Sequence, residues 1–206
     1  VEILHRGLDL GYDVYCNVMA VSRNTPDEVD RFLSVLAASR VPNVAVVDSF
    51  GALYPHHLRY LIRKYKNWLR PDQRVGVHLH NNQGVAFANT IAAIDEGAGF
   101  ADATIFGMGR GAGNCPLELL LMYLDDHGHD PRPLLPLLER FAGMRDELRW
   151  GYHPSYAITG WLNQHPNDAI RHMGSEHPYD VGAFYDELVK GRKARHHEPV
   201  REPFSK

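Results

Sequence analysis

Short apolar runs alternate with longer helical patterns along the first two-thirds of this 206-residue chain. The clearest run is NVAVVD at 43–48, in which four consecutive residues are apolar, as expected for a strand covered on both faces. RVGVHLH at 74–80 has a similar character, and both runs are followed by apolar residues at helical spacing. Repeated strand–helix units of this kind predict an α/β fold with a parallel sheet.

Four such units fit between Gly11 and Leu124. A capping box, Thr25-Pro-Asp-Glu28, marks the start of the first helix after a strand. A complete (β/α)8 barrel needs about 250 residues, so four units amount to half of one. A small doubly wound sheet of four strands is the alternative that the pattern leaves open. The predicted strands are 12–21, 43–48, 74–80 and 102–106.

After the fourth unit the alternation of strand and helix patterns ends and prolines become frequent, and we predict three segments. Residues 1–124 form the domain of strand–helix units, 125–190 a helical extension that opens with a proline-rich linker, and 191–206 a flexible tail. The chain begins with Val1 and not with Met. We therefore expect that truncation or processing has removed residues upstream.

Composition excludes several classes of function. Lys and Arg total 22 against 25 Asp and Glu, a formal charge of −3, so there is no electrostatic footprint for nucleic acid or an anionic membrane. Only two cysteines occur, without a CxxC pattern, and no apolar run approaches the roughly 20 residues of a membrane span. These features predict a cytoplasmic protein that binds neither nucleic acid nor membrane.

Two histidines, His78 and His80, end the third apolar run. If that run is a strand, its period of two directs both imidazoles to the same face. Active sites of barrels lie where the strands end, so this pair can chelate one divalent cation. The alternative is one core histidine and one exposed histidine, the commoner reading of an isolated HxH pair. Its position at a strand end, followed by Asn-Asn-Gln-Gly, favours metal binding.

Polar and glycine-rich residues follow the neighbouring runs as well. Asp48 and Ser49 end the second run, where a carboxylate and a hydroxyl can bind substrate, although Asp is also a common cap or turn residue there. The loop GMGRGAGN at 107–114 precedes a helix, and its glycines allow close approach of backbone to a ligand. Its spacing also matches a weak dinucleotide fingerprint, so a nucleotide-binding module stays an alternative.

Three motifs occur in order with one βα unit between each: VDSFG at 47–51, VHLHNN at 77–82 and GMGRGAGNCPLE at 107–118. Together they resemble the pyruvate-aldolase and HMG-CoA-lyase-like branch of metal-dependent TIM barrels, which includes isopropylmalate and homocitrate synthases. The likeness is greatest to the 4-hydroxy-2-oxovalerate aldolase family. In that family strand six ends in Asp-Ser-x-Gly, strand seven carries an HxH metal pair, and strand eight leads into a glycine-rich loop. The resemblance implies a partial TIM barrel made of βα units five to eight, in which residues 1–124 are the C-terminal half of a TIM-barrel catalytic domain.

The resemblance also implies roles for individual residues. His78 and His80 match the histidine ligands of a Mn²⁺, Mg²⁺ or Zn²⁺ ion, and Asn114 matches an asparagine that approaches or ligates it. Ser49 matches a position that holds the keto-acid end of the substrate, and we assign Asp48 to the same substrate site. The implied activity is aldol cleavage or formation on a small 2-oxo acid such as pyruvate.

A second, looser likeness lies in the C-terminal part. GYHPSY at 151–156 resembles an aldolase stretch that lends a tyrosine to the active site. Tyr156 would then donate or orient a proton. A buried tyrosine with a satisfied hydroxyl is the equally weighted alternative.

The chain departs from the family at one important point. The third metal ligand of the family is an aspartate in a T-L-R-D-G-like turn after strand one, and this sequence has no such stretch. The resemblance then implies either a fragment of a longer enzyme, inactive by itself, or a homo-oligomer or partner chain that supplies the other half barrel. Two alternatives remain: an acyl-CoA-condensing synthase of the isopropylmalate or homocitrate type, and a catalytically inactive half-barrel subunit.

Overall fold

The computed structural model of the chain describes residues 1–124, 128–148 and 150–192. Within them lies one sheet of four parallel strands in the order β1-β2-β3-β4. The predicted α/β fold with a parallel sheet is thereby confirmed. The strands are β1 (Tyr15–Val18), β2 (Asn43–Asp48), β3 (Arg74–Leu79) and β4 (Phe100–Ala101).

Each strand pairs with its neighbour in the sequence, and this order separates the two predicted architectures. A doubly wound sheet reverses its strand order at a switch point, whereas a barrel adds every strand on the same side. Right-handed crossovers between consecutive strands place all their helices on one face. The helices α2 (Pro26–Ala37), α3 (Pro55–Trp68) and α4 (Ala86–Asp95) do pack against one another in sequence order. The sheet is therefore not doubly wound.

The remaining helices lie before and after these units. They are α1 (Glu2–Asp9), α5 (Leu117–Tyr123), α6 (Leu135–Leu148), α7 (Pro154–Trp161), α8 (Asn167–Met173) and α9 (Val181–Arg192). None of the helices in the described ranges is both long and apolar enough to cross a membrane.

The helix α2 begins as its sequence predicts. The Thr25 hydroxyl accepts a hydrogen bond from the Glu28 N–H at 3.3 Å, and the Glu28 carboxylate accepts one from the Thr25 N–H at 2.8 Å. Pro26 occupies the first helical position, where its missing N–H costs nothing. The helix then turns Leu33 and Leu36 into the core.

The main core lies between the sheet and the helices α2 to α4. On the sheet side, period-two alternation sends Val44 and Val46 of β2 into it, together with Val77 of β3. The alternate residues of the same strands, among them Ala45 and His78, must face the opposite side. That opposite side carries the candidate site.

Two strand predictions need correction. The predicted fourth strand, 102–106, is displaced: the strand is Phe100–Ala101, and Ile105–Gly107 forms a 3-10 turn. The predicted first strand, 12–21, is trimmed to Tyr15–Val18, because Ala20 adopts a left-handed conformation with φ of 53°. In both places the apolar sequence extends beyond the residues that pair with the neighbouring strand. Periodicity alone does not show where this pairing ends.

The C-terminal helices fold back over the carboxyl end of the sheet. Asn163, after α7, exchanges two hydrogen bonds with Ser22, one to its hydroxyl at 2.7 Å and one to its carbonyl at 2.6 Å. Gly160 allows α7 to approach closely, since a Cβ there would lie 2.9 Å from the Asn82 Cβ. These helices therefore cover the strand ends, while the division into a barrel domain and a helical extension at 125 stays a prediction. Of the predicted tail, residues 191–192 extend α9 and 193–206 lie outside the described residues.

Candidate active site

The two histidines at the end of β3 lie side by side. His78 is in the strand and His80 follows directly after it, and their ring centres are 5.3 Å apart with an interplanar angle of 76°. Imidazole nitrogens bind divalent metals at about 2.1 Å, so rings at this separation are within reach of one shared cation. The expected same-face geometry of the pair is therefore present.

A hydrogen-bond acceptor faces the Nδ1 atom of each ring. The Asp102 carboxylate lies 2.9 Å from Nδ1 of His78, and the Gly113 carbonyl lies 3.2 Å from Nδ1 of His80. A carboxylate or carbonyl can only accept, so we assign the ring proton to Nδ1 in both histidines. Each Nε2 then keeps its lone pair, and this is how proteins hold histidine ligands of metals.

The surroundings of His80 keep its imidazole neutral. Burial, reinforced by the positive charge of Arg110 and by His78, lowers the pKa of His80 to about 4. A histidine must be neutral to bind a metal ion. His80 therefore needs no deprotonation step at neutral pH.

The glycine loop that follows β4 packs directly against His80. His80 and Asn114 form a β-bridge, and the Asn81 N–H donates to the Gly113 carbonyl at 2.8 Å. Gly113 has a φ of 86°, and a Cβ at this position would collide with the carbonyl oxygen of Gly107. Much of the glycine content thus serves the loop's own fold, which weakens the dinucleotide interpretation.

Asn114 supplies an acceptor that no described residue satisfies. Its side chain is 8% exposed, and its Nδ2 donates to the Met108 carbonyl at 3.3 Å. Its Oδ1 is buried without a hydrogen bond from the described residues. Leaving such an atom unpaired costs about 1–3 kcal/mol, and a cation beside it would remove that cost.

These side chains are suitable ligands for a divalent cation, but they do not make a complete set of ligands. Two imidazoles and an amide oxygen suit Mn²⁺, Mg²⁺ or Zn²⁺ in a mixed nitrogen and oxygen site. Among the described residues, no three His, Cys, Asp or Glu side chains are grouped to hold a metal. The carboxylate ligand expected from the family resemblance is not among these donors.

Asp48 is placed to hold its loop together. Its side chain is fully buried, and its two oxygens accept the N–H groups of Ala52 at 3.0 Å and Leu53 at 2.9 Å. Burial raises the pKa of Asp48 to about 6, although these backbone bonds oppose the shift. A carboxylate with both oxygens engaged by backbone is positioned to support a substrate site more than to contact the substrate.

Ser49 links two loops at the same edge of the sheet. Its hydroxyl oxygen accepts the Ala20 N–H at 2.8 Å, so the loop after β1 is tied to the loop after β2. The hydroxyl proton remains available for donation, because this bond uses only a lone pair of the oxygen.

Tyr156 lies on α7 against the glycine loop. Its ring is 6% exposed and packs on Gly111, where a Cβ would lie 3.1 Å from Cε1. Burial raises the pKa of its hydroxyl, so the group stays protonated at neutral pH. The structure thus brings this tyrosine to the loop that also carries Asn114.

Two residues near the site were missed by the sequence reasoning. The guanidinium of Arg110 donates to the Ser49 carbonyl at 2.5 Å and lies 3.2 Å from Nε2 of His165. Arg110 could have been noticed as the one charged residue of the glycine loop. His165 carries no local signal, because only the fold of the C-terminal helices brings it there.

Comparison with known proteins identifies the family of this chain. The family model described as HMGL-like matches residues 1–137. A 4-hydroxy-2-oxovalerate aldolase from Methylibium petroleiphilum is 35% identical over 119 residues, which is 58% of this chain and 33% of that protein. An oxaloacetate decarboxylase from Mycobacterium tuberculosis is 38% identical over 118 residues, which is 57% of this chain and 34% of that protein. The matched region is thus about a third of the length of these curated relatives.

Solved structures show the same fold. The N-terminal domain of a proposed aldolase from Bacteroides vulgatus has a TM-score of 0.75 and 32% identity, with coverage of 88% of this chain and 61% of that one. An HMG-CoA lyase from Brucella melitensis has a TM-score of 0.61 at 19% identity, over 70% of this chain and 56% of that one, which supports the fold alone. The family model covers more than half of the chain, and the chain therefore belongs to the HMGL-like family.

Proposed function

We propose that this chain provides βα units five to eight of a TIM barrel in a divalent-metal-dependent carbon–carbon lyase that acts on a 2-oxo acid. Family membership and the sequential parallel sheet support the architecture. The observation that carries the chemistry is the histidine pair, His78 and His80, with each Nδ1 facing an acceptor and each Nε2 left for a ligand. The relatives named above include a 4-hydroxy-2-oxovalerate aldolase and an oxaloacetate decarboxylase, and both reactions break the carbon–carbon bond that lies one carbon away from the keto group of a 2-oxo acid.

In this proposal the residues of the chain hold and orient the reactants. His78 and His80 hold the cation, oriented by Asp102 and by the Gly113 carbonyl, and the Asn114 amide oxygen completes this chain's contribution. The cation would supply Lewis acidity to the keto oxygen of the substrate. Ser49 donates its hydroxyl proton to the keto-acid end.

Proton transfer is assigned to Tyr156. In an aldol cleavage a base takes the proton of the substrate hydroxyl, the C–C bond breaks, and its electron pair passes to the pyruvate portion as an enolate. The family resemblance assigns that base to the strand-one turn, which the other half barrel would supply. The enolate then takes a proton at carbon. A buried tyrosine that stays protonated is suited to donate that proton or to orient the group that does.

The other half of the barrel must come from elsewhere in this proposal. The family's carboxylate ligand and arginine belong to strand one, and the matched region is about a third of the relatives' length. The 206-residue chain alone is then expected to be inactive, with weak metal affinity.

Removal of either imidazole tests the central assignment. His78→Ala and His80→Ala should each reduce Mn²⁺ affinity at least tenfold and abolish metal-dependent turnover of the enzyme that contains all eight units. Calorimetry measures the affinity, and His56→Ala, an exposed histidine at the start of α3, is the matched control. Unchanged Mn²⁺ affinity in both site variants would remove the proposal.

Decarboxylation is a second candidate for the same site. The oxaloacetate decarboxylase from Mycobacterium tuberculosis is 38% identical over the matched region, and loss of CO₂ from a 2-oxo diacid also leaves an enolate. Parallel assays with 4-hydroxy-2-oxovalerate and oxaloacetate separate the two reactions. A third assay for free CoA separates both from acyl-CoA condensation, and no turnover in any assay favours an inactive subunit.

A further inference from the structure

We propose that Arg110 and His165 together bind the carboxylate of the substrate, a role that rests on the proposed function. The two side chains meet at the carboxyl edge of the sheet, where the glycine loop faces the turn between α7 and α8. Both are exposed, so a ligand can reach them from solvent.

The Arg110 guanidinium is held in place by hydrogen bonds, but most of its N–H donors remain available. One N–H of its guanidinium donates to the Ser49 carbonyl, and a second points at His165. A guanidinium has five N–H donors in a planar fork, so three remain for a ligand. This planar fork matches the geometry of a carboxylate and can bind it through two parallel bonds.

Arg110 also has no counter-ion among the described residues. Across 1–124, 128–148 and 150–192, the ion pairs join other residues, and no carboxylate lies within 4.0 Å of its guanidinium. Arg40 and Arg63, by contrast, each pair with an acid. Partial burial lowers the pKa of Arg110 without making it neutral at any physiological pH. An uncompensated, partly desolvated cation attracts an anion.

His165 has more donors facing it than it can accept. The Asn167 N–H points at its Nδ1 from 3.3 Å, and Arg110 points at its Nε2 from 3.2 Å. A neutral imidazole has only one acceptor nitrogen. If Nδ1 accepts from Asn167, then Nε2–H and the guanidinium are two donors that face each other. An anion placed between them would accept from both.

The pair lies next to the histidines proposed to hold the metal. The Arg110 carbonyl accepts the Gly113 N–H at 3.1 Å in a tight turn, and the Gly113 carbonyl in turn lies 3.2 Å from Nδ1 of His80. A 2-oxo acid carries its carboxylate on the carbon next to the keto group. One small molecule can therefore place its keto oxygen towards the histidines and its carboxylate between Arg110 and His165.

The test measures binding of pyruvate to the 206-residue chain without metal, by NMR titration of side-chain and backbone N–H signals. Methyl pyruvate, which has the same shape without the charge, is the matched ligand. We expect methyl pyruvate to bind at least tenfold more weakly than pyruvate. Arg110→Gln and His165→Gln should each weaken pyruvate binding at least tenfold, and Arg110→Lys should weaken it less than Arg110→Gln.

The control variant is Arg74→Gln. Arg74, like Arg110, donates to a backbone carbonyl, in its case that of Gly99, but it begins β3 at the end of the strand opposite the site. Its loss should leave pyruvate affinity unchanged. Equal binding of pyruvate and its ester, an unaltered affinity in Arg110→Gln, or tighter binding of inorganic phosphate than of pyruvate would each overturn the proposal.

The outcome is separable from that of the proposed function. His78→Ala and His80→Ala test Mn²⁺ binding, whereas pyruvate binding is measured without metal. If the metal assignment fails and Arg110 still governs pyruvate affinity, the carboxylate site stands without the lyase chemistry. If Mn²⁺ binds through the histidines and Arg110→Gln has no effect on pyruvate, only the carboxylate assignment is lost.

Discussion

Single residues in this site fall into those that can meet a ligand and those that hold the others in place. His78, His80 and the Asn114 amide present free acceptor atoms, whereas both oxygens of Asp48 are engaged by backbone N–H groups. Sequence motifs do not make this distinction, because a carboxylate at a strand end is compatible with either role. Hydrogen-bond partners decide it.

The buried carboxylate of Asp48 should give stability an identifiable pH dependence. Its pKa is raised from 3.8 to about 6 in the folded chain, so the folded state binds the proton more tightly than the unfolded state. The carboxylate thus opposes folding increasingly as pH rises from 4 to 6, by up to about 3 kcal/mol. Asp48→Asn removes this titration but leaves one loop N–H without its acceptor.

The expected result is that the stability advantage of the native chain over Asp48→Asn is largest near pH 4 and shrinks towards pH 7. Urea unfolding of both proteins at several pH values measures it. The contributions of the other titrating groups are the same in both proteins, so they cancel in the difference between the two free energies of unfolding. An advantage that grows from pH 4 to pH 7 would contradict the raised pKa.

The hydroxyl of Tyr156 is a further prediction at this scale. Tyr156→Phe should reduce kcat of the enzyme containing all eight units by at least tenfold with little change in KM, because proton transfer is needed only in the transition state. The ring still packs on Gly111 in this variant, so the fold is preserved. An unaltered kcat would leave Tyr156 with packing alone.

At the scale of elements, the loop after β4 and the strand β3 form one unit. The glycine loop folds on itself so that the Gly113 carbonyl meets both His80 and Asn81. The strand directs the imidazole, and the loop fixes its tautomer. Neither element positions a ligand without the other.

Gly113→Ala should separate these two elements. Its φ of 86° is unfavourable for alanine, and the new Cβ would collide with the Gly107 carbonyl, which displaces the acceptor of His80. Loss of an outer-shell partner typically costs ten- to a hundredfold in metal affinity, so Mn²⁺ binding should weaken at least tenfold.

Gly84→Ala is the control for backbone strain. Gly84 also has a positive φ, of 73°, but a Cβ there meets nothing within 4 Å. It should cost about 1 kcal/mol of stability and leave Mn²⁺ affinity unchanged. Equal losses of affinity in both variants would mean that the loop acts only through general stability.

At the scale of the whole molecule, the sheet has two open sides. Among the described residues, β1 and β4 each pair with only one strand. Tyr15, at the start of β1, is 43% exposed and contacts Phe100 edge-on at 5.2 Å. Unpaired strand edges and exposed aromatic rings promote association with another chain. A second half barrel would cover both edges and supply the missing carboxylate ligand.

The coding sequence upstream of Val1 should therefore contain four further βα units with an R-D-G-type turn after the first strand, and sequencing checks this. The longer protein should bind Mn²⁺ at least a hundredfold more tightly than the 206-residue chain, because a carboxylate joins the ligand set. A start codon directly before Val1, together with a Mn²⁺ affinity that no second half barrel increases, would favour the inactive-subunit alternative.

Much of the fold could be predicted from the sequence, for a local reason. The boundaries of β2 were predicted without error, and the capping box at Thr25 formed as expected, because both depend on residues adjacent in the chain. The side-by-side histidines also followed from strand periodicity alone. The fourth strand was misplaced because the end of a parallel strand depends on its partner's backbone, which no local pattern contains.

The sequence by itself determined a parallel α/β chain with two imidazoles on one face of a strand end, since both features arise from apolar periodicity. Only the tertiary structure decided that Asp48 holds a loop and that Asn114 keeps a free oxygen. It also decided that α7 and the following turn bring Tyr156 and His165 over the strand ends. These contacts join residues up to 141 positions apart, such as Ser22 and Asn163, and they exist only when separate elements pack together.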